Sequence, residues 1–335
     1  MAESHVLKTL PILVLYPHNR CNCRCVMCDI WKIDAVQEIS VNELQRHARD
    51  IKTLGVEWVV FSGGEPLMHT DLFRLSDLLR NMGIRTTALS TGILLARRAR
   101  SVVSSLDDVI VSLDGPKEIH DRIRRIPRAF ELLAAGIRAL HELNADYPVA
   151  ARCTVQRENF LHLRETARAA RVLDLQSISF LAADLTSSAF NRPEAWPPKR
   201  QAEVALARHE VDRLEQEIER LIEDSGREPG FLLESPEKLR RIVRHFRAHL
   251  GLAEFVSPGC NAPWVSAVVE SDGTVRPCFF HRPIGNARQH SLMEVLNSPE
   301  AIEFRRSLDV AGNPTCRRCV CSLYLVTSAQ LAPSR

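Results

Sequence analysis

A surplus of charge of one sign is what this 335-residue chain most plainly lacks: 44 Lys and Arg stand against 41 Asp and Glu, a net charge of +3. No strong overall field therefore draws it to nucleic acid or to an anionic membrane, and both are set aside as partners. Long apolar runs are missing as well, since none reaches the ~18–20 residues of a spanning helix. The start, Met1-Ala2-Glu3-Ser4-His5, carries no basic leader and no small-residue cleavage site, so a soluble, cytoplasmic protein is expected. No internal repeat or low-complexity tract stands out. The ten cysteines do not scatter as a secreted disulfide framework would; seven of them crowd into residues 21–28 and 316–321, a spacing of metal ligands kept reduced.

What is present in the first half is an alternation of short β-branched runs with amphipathic segments, the pattern of βα units around a parallel sheet. Strands are predicted at Ile12–Tyr16, Glu57–Phe61, Thr86–Ser90, Val109–Leu113, Val149–Val155 and Ser177–Leu181. Helices are predicted at Val41–Leu54, Asp71–Met82, Leu94–Ser105, Arg128–Leu143 and Leu161–Leu173, the first opened by Ser40 and Glu43 as a capping box. Residues 1–185 form this unit. Residues 186–256 change character: Asn191-Arg192-Pro193 and Trp196-Pro197-Pro198 lead into two charged helical stretches, Lys199–Asp224 and Pro236–Leu250, each with one apolar face. They read as a linker or cap without a legible function. Residues 257–335 turn β-like again, with a hairpin around Ser271-Asp272-Gly273 and a helix near Leu292–Leu308.

Cys21, Cys25 and Cys28 have the spacing C-x3-C-x2-C. Three thiolates hold three corners of a [4Fe–4S] cube and leave the fourth iron open, whereas a structural zinc site closes with four protein ligands. Residues 11–28, from Pro11 through Tyr16-Pro17-His18 to Cys28, resemble the first strand and cluster loop of the radical S-adenosylmethionine (SAM) superfamily. The resemblance implies a partial (β/α)6 TIM-type barrel, an α/β fold with a helical insertion and a small C-terminal hairpin-and-helix domain. It also implies that the open iron chelates SAM, which one electron, supplied by a flavodoxin or ferredoxin, cleaves to a 5′-deoxyadenosyl radical.

Further positions follow from the same resemblance. Gly63, Gly64, Glu65 and Pro66 match the family's GGEP motif at the SAM amino group, where close backbone approach and a carboxylate suit an ammonium; a glycine turn alone has a purely conformational reading. Ser90 ends the third strand, and Ser112 and Asp114 end the fourth, beside the SAM ribose or methionyl part. Arg152 looks like the arginine that pairs with the SAM carboxylate, against an internal ion pair as the plain alternative. Leu181 lines the adenine. Cys23 is spare, Cys153 packs on the outer face, and His120-Asp121-Arg122-Ile123-Arg124-Arg125 reads as a helix start with solvated arginines.

Cys260-x12-Gly273-x4-Cys278 with Cys316 and Cys319 resembles the SPASM family of auxiliary-cluster domains in its shortened "twitch" form. Four thiolates would enclose a second [4Fe–4S] cluster. A four-cysteine zinc site uses the same spacing, and Cys321 competes with Cys319 for the fourth place. The expected activity is hydrogen abstraction from a small polar metabolite, of sugar or aminocyclitol type, with net oxidation or epimerisation. Maturation of a ribosomally made peptide is the alternative, and a non-enzymatic metal-binding interaction module is a third reading.

Overall fold

The computed structural model describes residues 5–33, 35–192, 194–226 and 229–326. The start read at residues 1–4, Pro193 and the final stretch 327–335 lie outside the described residues. Six parallel strands, β1 (Ile12–Leu15), β2 (Trp58–Phe61), β3 (Arg85–Ser90), β4 (Asp108–Ser112), β5 (Val149–Val155) and β6 (Ser177–Ala182), pair in chain order. Period-two alternation sorts their side chains. Leu13, Leu15, Val59, Phe61, Val109 and Val111 pack outward under the helices, each fully buried side chain contributing about 1.5–3 kcal/mol. Val14 and Val60 face inward with Val268, flanked by Tyr16, Trp58, Leu89 and Phe279. The sheet does not close on itself, and the expected partial barrel is what forms.

The C-terminal hairpin joins the same sheet, which the sequence pattern did not reveal. Strand β7 (Ser266–Val269) pairs in parallel with the free side of β1, and β8 (Thr274–Arg276) and β9 (Gly285–Asn286) add antiparallel beyond it. Gly273 takes φ +86° in the turn, the left-handed conformation that made glycine informative there. At the opposite edge, residues 231–233 of the insertion cover β6: Ile178 N–H donates to Phe231 O at 2.8 Å and Leu233 N–H to Ile178 O at 3.0 Å. An exposed strand edge is thereby protected.

Three predicted helices are broken in two, each for a tertiary or capping reason. Val41–Leu54 forms as Val41–Arg46 and Ala48–Thr53, parted at His47, whose ring hydrogen-bonds to the backbone of Ala287 in the C-terminal region. Lys199–Asp224 forms as Pro198–Val204 and Arg208–Ser225; Val204 O accepts from Arg157 N–H, and Glu210 caps Ala207 N–H at 2.7 Å. Leu292–Leu308 forms as Leu292–Leu296 and Pro299–Ser307, because Pro299 has no N–H to continue the first piece and Ser298 caps the second. A helix at Lys117–Arg124 was read only as a helix start. Among the described residues no helix is long and apolar enough to cross a membrane.

Candidate active site

The cluster loop leaves β1 at Tyr16 and is fixed by segments distant in sequence. Glu65 N–H donates to Arg20 O at 2.8 Å, while Arg24 and Val26 N–H donate to Arg124 O and Ile123 O at 3.2 and 3.0 Å. Cys25 is buried, whereas Cys21 and Cys28 keep partial exposure. Burial pushes the Cys21 and Cys28 thiols up to about 12. Cys25 goes the other way, drawn down to about 7, first by a hydrogen bond from the Cys23 thiol and, against burial, also by Arg124. Cys23, expected to be spare, is fully buried beside Cys25. A second donor is Arg124, whose Nη1 lies 3.5 Å from Cys25 Sγ.

Arg124 corrects the sequence reading of residues 120–125 as solvated. Its side chain is 8% exposed and forms an ion pair with Asp114, which is 0% exposed. Asp114 was expected beside SAM; its carboxylate is instead committed to Arg124 and to Thr154 N–H at 2.9 Å, while its own N–H meets His120 Nδ1 at 3.2 Å. His120 is also buried, and burial holds its ring down to about 3, hence neutral.

The glycine pair is packed for close approach. A Cβ on Gly64 would stand 1.8 Å from Arg20 O, and one on Gly63, at φ +89°, 2.8 Å from the Tyr16 ring. Glu65 is fully buried, and its carboxylate accepts from Leu67 N–H at 3.1 Å, Ser90 Oγ at 2.9 Å and Thr91 N–H at 2.6 Å. The carboxylate ties strand β3 to the motif, so residues 62–64, which stay partly exposed, offer a ligand their backbone. Burial pushes the Glu65 carboxyl up against these bonds. Pro66 opens a short 3-10 turn. Ser90 is buried and committed to Glu65.

Ser112, Arg152, Ser179 and Leu181 share the inner face. Ser112 registers with Arg152 and Arg152 with Ser179, and Arg152 Nε donates to Ser179 Oγ at 3.1 Å. Cys153, on the opposite side of β5, is buried in the outer core beside Asn159 Nδ2 at 3.5 Å, a packing residue.

The insertion, read as functionally blank, straps the cluster loop. Arg192 donates to Met27 O at 3.2 Å and pairs with Asp184 at 2.7 Å. Asn191 reaches Asp29 O and Lys32 O, Trp196 Nε1 bonds Asp29, and Arg200 bonds Val26 O. Arg192 also stacks over Trp196 at 3.8 Å. Partners more than 150 residues apart leave no local signal; only the Trp and Arg amid prolines hinted at a packed segment.

Cys260, Cys278, Cys316, Cys319 and Cys321 all line one cavity of about 230 Å3 between the C-terminal segment and the inner face, together with Ile12, Val14, Trp58, Val60, Leu89, Ile110 and Arg152. His281 Nε2 lies 3.3 Å from Cys316 Sγ, and Cys319 Sγ–H donates to Cys321 O at 3.2 Å. Arg241 bonds Cys319 O and Val320 O. Cys319 neighbours Cys321, Cys278 and Cys260, and Cys321 neighbours Arg152, Asp184 and Cys278, so both stay close to the other thiols. Among the described residues no three Cys, His, Asp or Glu side chains converge on one point as a single ion requires.

Residues 15–170 match the family model of the radical SAM superfamily, and residues 260–320 match that of an iron–sulfur cluster-binding domain. The chain is 27% identical to the Fe-coproporphyrin III synthase of Methanosarcina barkeri over 92% of its own length and 80% of that protein. It is 30% identical to the AdoMet-dependent heme synthase of the same organism over 46% of its length and 45% of that protein. Among solved structures it resembles Streptococcus suis SuiB bound to S-adenosylmethionine, with TM-score 0.66 and 16% identity over 96% of this chain and 75% of that one. The last likeness concerns the fold.

Proposed function

We propose, from the premise that the chain belongs to the radical SAM superfamily and carries a C-terminal iron–sulfur cluster-binding domain, that it is an oxidoreductase acting on a carboxylate-bearing tetrapyrrole. As a member of that superfamily it is an enzyme that uses SAM and [4Fe–4S] clusters. Bound together, cluster and SAM supply a one-electron cleavage that yields a hydrogen-abstracting deoxyadenosyl radical. The residues of this chain do the rest: Cys21, Cys25 and Cys28 hold the catalytic cluster and leave one iron free. The backbone at Gly63 and Gly64 takes the SAM amino group, Arg152 its carboxylate, and Ser112 and Leu181 its nucleoside part. Cys260, Cys278, Cys316 and Cys319 hold the auxiliary cluster, with Cys319 taken over Cys321 for its C-x2-C spacing from Cys316. The inner wall excludes water and orients the target bond.

The observation that carries the substrate class is the lining of the inner cavity. Ile12, Val14, Trp58, Val60, Leu89, Ile110, Phe279 and Phe280 make it largely apolar. Beside its five thiols the cavity's polar side chains are Arg152, Ser257, Ser266, His281, Thr315 and Ser322, and its apolar wall suits a flat apolar ring system better than a sugar or aminocyclitol, which presents polar groups all round. Resemblance to a protein named for making Fe-coproporphyrin III, extending over 92% of the chain, supports the same class. The test is anaerobic reconstitution with SAM, a reductant and, in separate arms, carboxylate-bearing tetrapyrroles, an aminocyclitol and a short peptide. Deoxyadenosine formation coupled to a mass change in the tetrapyrrole is expected, and its abolition in Cys25→Ala. Turnover in the aminocyclitol or peptide arm alone would overturn the substrate class, and deoxyadenosine from Cys25→Ala would overturn the cluster assignment.

A further inference from the structure

We propose that Arg124 sets the reduction potential of the catalytic cluster, as a positioning residue acting through the sulfur of Cys25. The inference rests on the reading that Cys21, Cys25 and Cys28 hold that cluster. Arg124 Nη1 is 3.5 Å from Cys25 Sγ, and its side chain is 8% exposed. Its Nε is buried without a hydrogen-bond acceptor among the described residues, so this part of the guanidinium is kept beside the loop at a desolvation cost. The group cannot swing away: Asp114 holds it and is itself held by Thr154 N–H at 2.9 Å, with Asn159 Nδ2 on Asp114 O at 2.9 Å.

One electron added to a cluster places more negative charge on its thiolate sulfurs. A cationic donor at one sulfur stabilises that reduced form more than the oxidised one, and hydrogen bonds to the sulfurs are a principal determinant of cluster potential. Asp114 opposes the effect from behind the guanidinium.

The experiment measures iron content and the midpoint potential, by spin resonance during redox titration without SAM, on anaerobically reconstituted full-length protein. The signal missing in Cys25→Ala identifies the catalytic cluster. Arg124→Met shifts its potential negative with iron content retained, Arg124→Lys restores part of the shift, and Asp114→Asn shifts it positive. Should Arg124→Met not fold, the double variant Arg124→Met/Asp114→Asn removes both buried charges together and still shifts the potential negative. Wild-type potential in an iron-replete Arg124→Met or double variant overturns the proposal, as does an unmoved potential in Asp114→Asn. Retention of the full iron complement by Cys25→Ala would instead sink the cluster assignment beneath it.

Discussion

Cys21, Cys25 and Cys28 share one loop of eight residues, whereas Cys260, Cys278, Cys316 and Cys319 come from the start of a short helix, the exit of β8 and the segment after β9. The first set is fixed by what surrounds it: Ile123, Arg124, Arg192 and Arg200 all bond its backbone or a sulfur. The second set is fixed by few groups, chiefly Arg241, His281 and the pairing of Asn261 with residues 323–325. A site whose ligands are adjacent in sequence needs distant segments to immobilise it. A site whose ligands are distant is ordered in large part by the metal it binds, as metal binding commonly couples to folding.

The largest effect that separates the two sets is on chemistry. Cys316→Ala should lower iron from about eight to about four per chain while deoxyadenosine still forms from SAM, the opposite of the loss expected in Cys25→Ala. Equal loss of SAM cleavage in both variants would break the distinction. A smaller effect tests the strap on the first set. Arg192→Met strands the buried carboxylate of Asp184 and should cost about 3–5 kcal/mol, read by denaturant unfolding, together with faster proteolysis near residue 30. Unchanged stability would mean that the loop needs no outside clamp.

The smallest effect sharpens the comparison through pH. Burial holds His120, beside the first set, and His245, beside the second, down to about 3; in His245 the neighbouring His249 and Arg241 add to burial. A histidine depressed in the fold binds fewer protons there than in the unfolded chain, so its stabilisation is full above the ordinary value near 6.5 and is lost as pH falls toward the folded value. Each ring should withdraw roughly 1–2 kcal/mol between pH 7 and 5. Thermal unfolding against pH should flatten in His120→Gln and in His245→Phe alike. A slope that either variant leaves intact would mean that its ring is already charged in the native protein.

The barrel was legible because a period of two in short β-branched runs, interleaved with amphipathic stretches, has few other solutions; all six strands appear within a residue or so of their expected ends. The cysteine loop and the glycine pair were legible because their chemistry depends on local spacing. Arg124 was misread because nothing near it in sequence announces Asp114 or Cys25, ten and 99 residues away. Glu65 shows the same limit from the other side: the motif is visible, but the commitment of its carboxylate to Ser90 and Thr91 is a tertiary fact. Pro299 is a different case, a breaker present in the sequence and passed over.

The pairing of β7 with β1 joins strands that are far apart along the chain. During synthesis β1 has its second neighbour only once residue 266 has emerged, and the loop that follows it is strapped only after residue 192. Nascent chains shorter than this hold the thiols of residues 21–28 beside an edge that β7 does not yet cover. A truncation that removes the C-terminal hairpin would strip a wall from the catalytic barrel as well as deleting an accessory centre.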